Sequence, residues 1–324
     1  MEGMFNNISI RGISACVPKR IVENISYAGQ FGEKKVKKHM RMIGVTQRHK
    51  LSENQKASDL AEVAAKKLLN HLSWDGSSID IMIYVTQSPD YDKPATAFVL
   101  QKKLGIKKDS MVFDVNLGCS GFVSGIQIVS ALLREQGSRG LLLISDGVYG
   151  EERQNAVDEM LFGDAGCAVA LENAEPNVIK YIQHSDGERF EAIHKLKNGK
   201  GVMDGNAVFA FTLNDVADSI KESFSVFQLE DEEIDYYFLH QGQKMILDNL
   251  IDLCEIPSNK VLFSIDEYGN TGGASIPVTI CANREQLAEK TTIRAYMCGF
   301  GVGLSWGSVY ANIDPKNILP IETC

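Results

Sequence analysis

At 324 residues the chain is too long for one ordinary core and fits two domains of about 150 residues each. Its 44% apolar and 23% charged content is ordinary for a soluble globular protein, and its formal charge of −9 argues against general nucleic-acid binding. It has no run of about 18 uncharged apolar residues and no basic-then-apolar leader at "MEGMFNNISIRG", so the expectation is a cytoplasmic protein with no membrane span and no secretory signal.

The first conspicuous segment is "EKKVKKHMRMIGVTQRHK", residues 33–50. Lys34, Lys35, Lys37, Lys38, Arg41, Arg48 and Lys50 make a positive surface in an acidic chain. It reads either as a solvated helix face or as a dock for a phosphate-bearing or acidic partner. Helical apolar spacing follows over 57–72, and a buried-strand run over 79–87. A helix is expected over 95–105, stopping at Gly105, then a strand over 111–115 and a helix over 121–135. Strands over 140–146 and 166–172 complete an α/β pattern.

The second half repeats this order. "IDYYFLHQG" (234–242) echoes "IDIMIYVTQS", and the helical "KMILDNLIDLC" follows it. "VLFSIDEYGNTGGASIPVTI" (261–280) echoes "MVFDVNLGCSGFVSGIQI" as strand, Gly-bearing turn and helix. Two closing strands are expected within 293–313, around a Gly-rich corner. The repetition predicts a duplication with halves 1–172 and 173–324. Matching corners related by a pseudo-two-fold would face one another, bringing Cys119 of the first half to His240 and Asn270 of the second.

Cys119 precedes an expected helix N-terminus, whose unpaired N–H groups and dipole should lower the thiol pKa and could hold an oxyanion. Gly118 and Gly121 allow the sharp turn, as in a nucleophile elbow carrying Cys for Ser. Each residue also has a plain structural reading: a buried turn cysteine, a histidine at a strand tip, a turn-forming asparagine. The three together on equivalent corners favour a site. The other six cysteines (Cys16, Cys167, Cys254, Cys281, Cys298, Cys324) are scattered without metal-ligand spacing. They read as reduced structural thiols, and no metal is expected.

Four motifs, "GCSGF" at Cys119, "LHQG" at His240, "YGNTGGASIP" at Asn270 and "GFGVGLSWGS", make the chain resemble β-ketoacyl-acyl carrier protein synthase III, a thiolase-like condensing enzyme. "GVTQRH", "LFGDAGCA" and "MDGNAVFAF" extend the resemblance nearly end to end. It implies a five-layered αβαβα fold with two similar halves, and a homodimer. It also implies that Cys119 takes an acyl group from a coenzyme A or carrier-protein thioester. A malonyl carrier protein would then lose CO₂ under His240 and Asn270, with the N–H groups of Cys119 and Val302 as oxyanion hole. Gly205 and Asn206 would line the phosphopantetheine tunnel, with Gln241 and Gln243 also binding substrate. No permanently bound cofactor is implied. Lys34, Lys35, Lys37, Lys38, Arg41 and Arg48 are the candidate carrier or phosphate dock.

Several positions depart from the family pattern. The usual "HQAN" reads "HQGQ", and Val302 replaces the middle glycine of "GFGGG", so an ordinary φ is expected there. Residues 30–44 contain no tryptophan to stack on adenine, and the helix after His240 offers Lys244 among Asp248, Asp252 and Glu255. In "YDKPATA", Lys93 stands where an aromatic residue usually closes the partner's acyl pocket; it either meets a polar or larger acyl group or swings to solvent. The intact Cys119, His240 and Asn270 favour condensation. The alternatives are acyl transfer to an alcohol or amine with His240 as base, a non-catalytic dimer partner, and a thioesterase-like hydrolase.

Overall fold

The computed structural model describes residues 1–147, 156–196 and 201–324. Nine strands form one mixed sheet: β1 (Glu2–Val17), β2 (Ile81–Val85), β3 (Met111–Val115), β4 (Arg139–Asp146), β5 (Ala165–Ser185), β6 (Tyr236–Leu239), β7 (Ile293–Gly301), β8 (Ser305–Ile313) and β9 (Glu322–Thr323). The spatial order is β6-β7-β8-β1-β5-β4-β2-β3, with β9 beside β1 and β8 also paired with β5. One pairing pattern recurs. β2 runs parallel to β4, β4 antiparallel to β5, and β5 antiparallel to β1. Likewise β6 runs parallel to β7, β7 antiparallel to β8, and β8 antiparallel to the end of β5. β5 passes through position 172 without a break, so the boundary expected there falls inside a strand and not in a linker.

The helices used below are α1 (Glu33–Ile43), α2 (Ala57–His71), α3 (Thr96–Lys103), α4 (Gly121–Gln136), α5 (Gly205–Phe211), α6 (Ala217–Phe227), α7 (Lys244–Leu253) and α8 (Ser275–Ala282). Strand alternation stacks them into layers. Ile81, Ile83 and Val85 of β2 pack inward with Phe122, Val123 and Ile126 of α4. Met82 and Tyr84 pack outward with Leu60 and Leu68 of α2 and Leu100 of α3. In β7, Ile293, Ala295 and Met297 join the same inner core with Ile276 and Ile280 of α8, while Tyr296, Cys298 and Phe300 face Ile220 of α6 and Leu247 of α7. Five layers result, with α4 and α8 in the middle. A helix between two sheet layers must be apolar all round, and Ser275–Cys281 of α8 is buried throughout. Each aliphatic side chain buried there contributes about 1.5–3 kcal/mol.

Strand β3 has the expected bounds, and most expected helices lie within two residues of theirs. The strand expected from 261 is instead a single bridge between Val261 and Tyr237, followed at once by a short helix over Ile265–Tyr268. An apolar run that short satisfies its burial in a loop as well as in a ladder. β1 and the helices over 205–227 were not anticipated. β1 carries Asn7 at φ 65 and register shifts near Asn6 and Ile10, which interrupt the alternation that marks a strand.

Candidate active site

After β3 the chain turns through Gly118, Cys119 and Ser120 into α4. A β-carbon at Gly118 would lie 2.5 Å from Gln87 Oε1, the free end of an exposed side chain, so the Gln87 carboxamide lies directly over this turn. Gly301, ending β7, is a packing requirement: its β-carbon would lie 2.8 Å from Cys119 Cβ and 3.3 Å from Sγ. The backbone of the second half therefore lies directly against the sulfur of the first.

His240 follows β6. Its backbone N–H donates to Cys298 O at 2.8 Å, and its Nδ1 lies 2.7 Å from Ser275 Oγ at the start of α8. The ring stands edge-on to Phe300, with centroids 5.3 Å apart and planes at 86°. Asn270 donates through Nδ2 to Gly242 O at 3.3 Å and accepts the Gly272 N–H at 2.9 Å, which leaves one amide hydrogen for a ligand. Both side chains are buried, yet both line the same cavity as Cys119 and Val302. Its volume is about 1410 Å³.

The Val302 turn is tied to α4. Ser305 Oγ donates to Val302 O at 2.8 Å and lies 2.6 Å from Ser120 Oγ. Among the described residues no acceptor takes the Val302 N–H. Val302 has an ordinary φ, as a β-branched residue requires.

Charge in the cavity is governed by burial. Burial, then the nearby Asp146 carboxyl, pushes the Cys119 thiol up to about 12. This overturns the expected lowered pKa. A helix N-terminus supplies about 2 kcal/mol at most, against roughly 4 kcal/mol for a rise of that size. Burial also holds His240 neutral, pushed down to about 3, and lifts Asp146 to about 7. An uncharged thiol, an uncharged imidazole and a carboxamide donor suit chemistry on a neutral thioester better than an ion pair would.

Other expected residues divide. Gly205 and Gln243 line the cavity. Gln241 does not: it is fully buried, donating to Leu239 O at 2.8 Å and accepting the Ser264 N–H at 3.2 Å, so it positions the loop after His240 instead of meeting substrate. Asn206 is exposed in the first turn of α5, off the cavity wall, and its N–H donates to Asp204 Oδ1. Arg48 is not a surface cation. It is 1% exposed, donates to Glu159 O and to Tyr27 Oη, and stacks on the Tyr27 ring. Lys34, Lys35, Lys37, Lys38 and Arg41 lie on α1, where Lys37 pairs with Glu33 and Lys35 reaches the cavity wall. Lys93 is exposed. Sequence reasoning missed Asp146, Gln87, Ser275 and Ser305. Only Asp146, ending the run "LLLISD", and Ser275, opening a helix, carried any local signal.

Residues 113–187 match the model for 3-oxoacyl-[acyl-carrier-protein (ACP)] synthase III, and 226–313 match that for the synthase III C terminal. The chain is 31% identical over 323 residues to a beta-ketoacyl-[acyl-carrier-protein] synthase III of Clostridium perfringens, covering 93% of this chain and 98% of the relative. It is 30% identical over 318 residues to that of Ehrlichia canis, covering 94% and 98%. The crystal structure of a 3-oxoacyl-(acyl-carrier protein) synthase from Burkholderia xenovorans LB400 superposes with a TM-score of 0.96 at 31% identity, covering 100% of this chain and 99% of that one.

Proposed function

Since this chain belongs to the 3-oxoacyl-[acyl-carrier-protein] synthase III family and is an acyl-transferring condensing enzyme, we propose that Cys119 carries the acyl group while His240 and Asn270 serve the decarboxylation. The Cys119 sulfur attacks the carbonyl of a coenzyme A or carrier-protein thioester. The sulfur–carbon bond to the acyl group forms, the bond to pantetheine breaks, and the departing sulfur takes up the thiol proton. The N–H groups of Cys119 and Val302 hold the oxyanion of that step.

A malonyl carrier thioester then enters. The Ser275 hydroxyl donates to His240 Nδ1, so Nε2 presents its hydrogen to the cavity beside the spare Asn270 amide hydrogen. Both donate to the thioester oxygen as CO₂ leaves and an enolate forms. The enolate carbon bonds to the acyl carbon, the bond from that carbon to Cys119 breaks, and a β-ketoacyl carrier thioester departs. Burial keeps water from the acyl-enzyme.

What carries this reading is that Cys119 from one half and His240 and Asn270 from the other line a single cavity. Gly205 and Gln243 belong to the pantetheine passage in this reading. Docking of an acidic carrier is supported by the groove between α1 and α7, lined by Lys38, Arg41, Met42, Met245, Asp248 and Asn249. A homodimer is supported by the open sheet edge at β3, near exposed Phe98 and Tyr91. Light scattering should give twice the chain mass; a monomer at working concentration would contradict the dimer.

The test is incubation with an acyl-CoA and malonyl carrier protein, measuring CO₂ and the carrier product together. Equal amounts of CO₂ and β-ketoacyl carrier are expected, and no β-ketoacyl carrier from Cys119→Ala, which keeps His240 and Asn270 but cannot hold the acyl group. Free acid from the acyl-CoA without CO₂ would contradict the condensation.

A further inference from the structure

Cys119 lines a cavity that draws on two chemically unlike sets of residues. One is mostly apolar, with Phe190, Val202, Phe211 and Ile246 beside His194 and Lys195. The other comes from the ends of β2, β3 and β4 and is polar, with Thr86, Gln87, Ser88, Asn116 and Asp146. The polar wall is a built structure. The Asp146 carboxylate accepts the Gln87 N–H at 2.6 Å and the Thr86 hydroxyl at 3.2 Å, which fixes the turn after β2. That turn lays the Gln87 carboxamide over Gly118, beside the nucleophile, in the space a side chain at 118 would occupy. Asn116 lies on the same wall just before it. Among the described residues neither carboxamide has a hydrogen-bond partner within the protein, and both residues are exposed, so in the open cavity their partner is water.

A plain alkyl chain held on Cys119 against this wall would strip that water and give nothing back. A hydroxyl would replace it, donating to one carboxamide oxygen and accepting from an N–H. We propose that the acyl group this site accepts carries a hydroxyl near its thioester carbonyl, recognised by the Gln87 and Asn116 side chains. The proposal rests on the reading of Cys119 as the acyl carrier and adds the class of acyl group. Sites built to hydrogen-bond a substrate hydroxyl reject the analogue lacking it far more strongly than apolar pockets reject a methyl group.

The test is the rate of Cys119 acylation, followed by intact-protein mass, with 3-hydroxybutyryl-CoA, butyryl-CoA and 3-methylbutyryl-CoA. The hydroxyacyl donor should load at least about tenfold faster than either alkyl donor. Gln87→Leu should slow hydroxybutyryl loading and speed butyryl loading, a reversal that a misfolded variant would not give. Equal or faster loading from the two alkyl donors in the wild type would overturn the proposal and leave the acyl-enzyme reading intact. No adduct from any of the three would overturn the acyl-enzyme reading, and the proposal with it.

Discussion

Replacing Ser275 by alanine separates the two half-reactions. Ser275 and His240 are 1% and 2% exposed, and Oγ lies 2.7 Å from Nδ1. Burial holds the imidazole neutral, so one ring nitrogen carries the hydrogen; in the proposed mechanism the Ser275 hydroxyl donates to Nδ1 and the hydrogen sits on Nε2. Without it, Nδ1 is left unpartnered in a dry site at a cost of about 1–3 kcal/mol, or the hydrogen moves to Nδ1 and Nε2 stops being a donor. Either way the enolate loses stabilisation. At 1.36 kcal/mol per tenfold, CO₂ release should fall about five- to 150-fold. Acyl loading of Cys119 does not use the Nε2 hydrogen and should stay within about twofold. The assay is radiolabelled CO₂ release from malonyl carrier protein, run beside intact-mass loading. CO₂ release at the wild-type rate would refute the proton placement. A parallel fall in loading would show that Ser275 merely supports the fold.

Three further outcomes follow from charge and burial. With His240 pushed down to about 3, CO₂ release by preloaded enzyme should be flat from about pH 5 to 8; an inflection near 6.5, the value of a free imidazole, would contradict the buried neutral ring. Asp146→Asn removes an anion that raises the Cys119 thiol while keeping an oxygen for the Gln87 N–H, so iodoacetamide alkylation of Cys119 near pH 8 should quicken by about two- to tenfold; unchanged or slower alkylation would refute that coupling. Cys324 is half-buried, its sulfur 3.5 Å from that of Cys16 and 3.3 Å from Gln55 Nε2, and these hydrogen bonds push it down to about 7 while Cys16 is driven up. It should therefore be the first thiol alkylated at neutral pH, and a fast phase that survives Cys324→Ser would refute this.

How much of this was legible in the sequence depends on whether a signal was local. "MVFDV" reads as a strand because β-branched and aromatic residues run without interruption up to the Gly-Cys-Ser-Gly turn. β1 pairs with three other strands, yet its bulges at Asn6 and Ile10 break the alternation. Cys119, His240 and Asn270 stand out because each sits at a glycine-bearing corner at the end of an apolar run. Their supports do not stand out. Gln87 reaches Gly118, and Ser275 reaches His240, only through tertiary packing. Arg48 was misread because charge along the chain says nothing of depth: its guanidinium is buried against Tyr27 and the carbonyl of Glu159.

The most direct measurement is the mass of the intact protein after mixing with an acyl-CoA in the absence of any malonyl donor, followed by peptide mapping. A single acyl increment on the peptide holding Cys119, discharged when malonyl carrier protein is added, is the predicted result. An unmodified Cys119, or an increment carried by another residue, would contradict the covalent intermediate on which the mechanism depends.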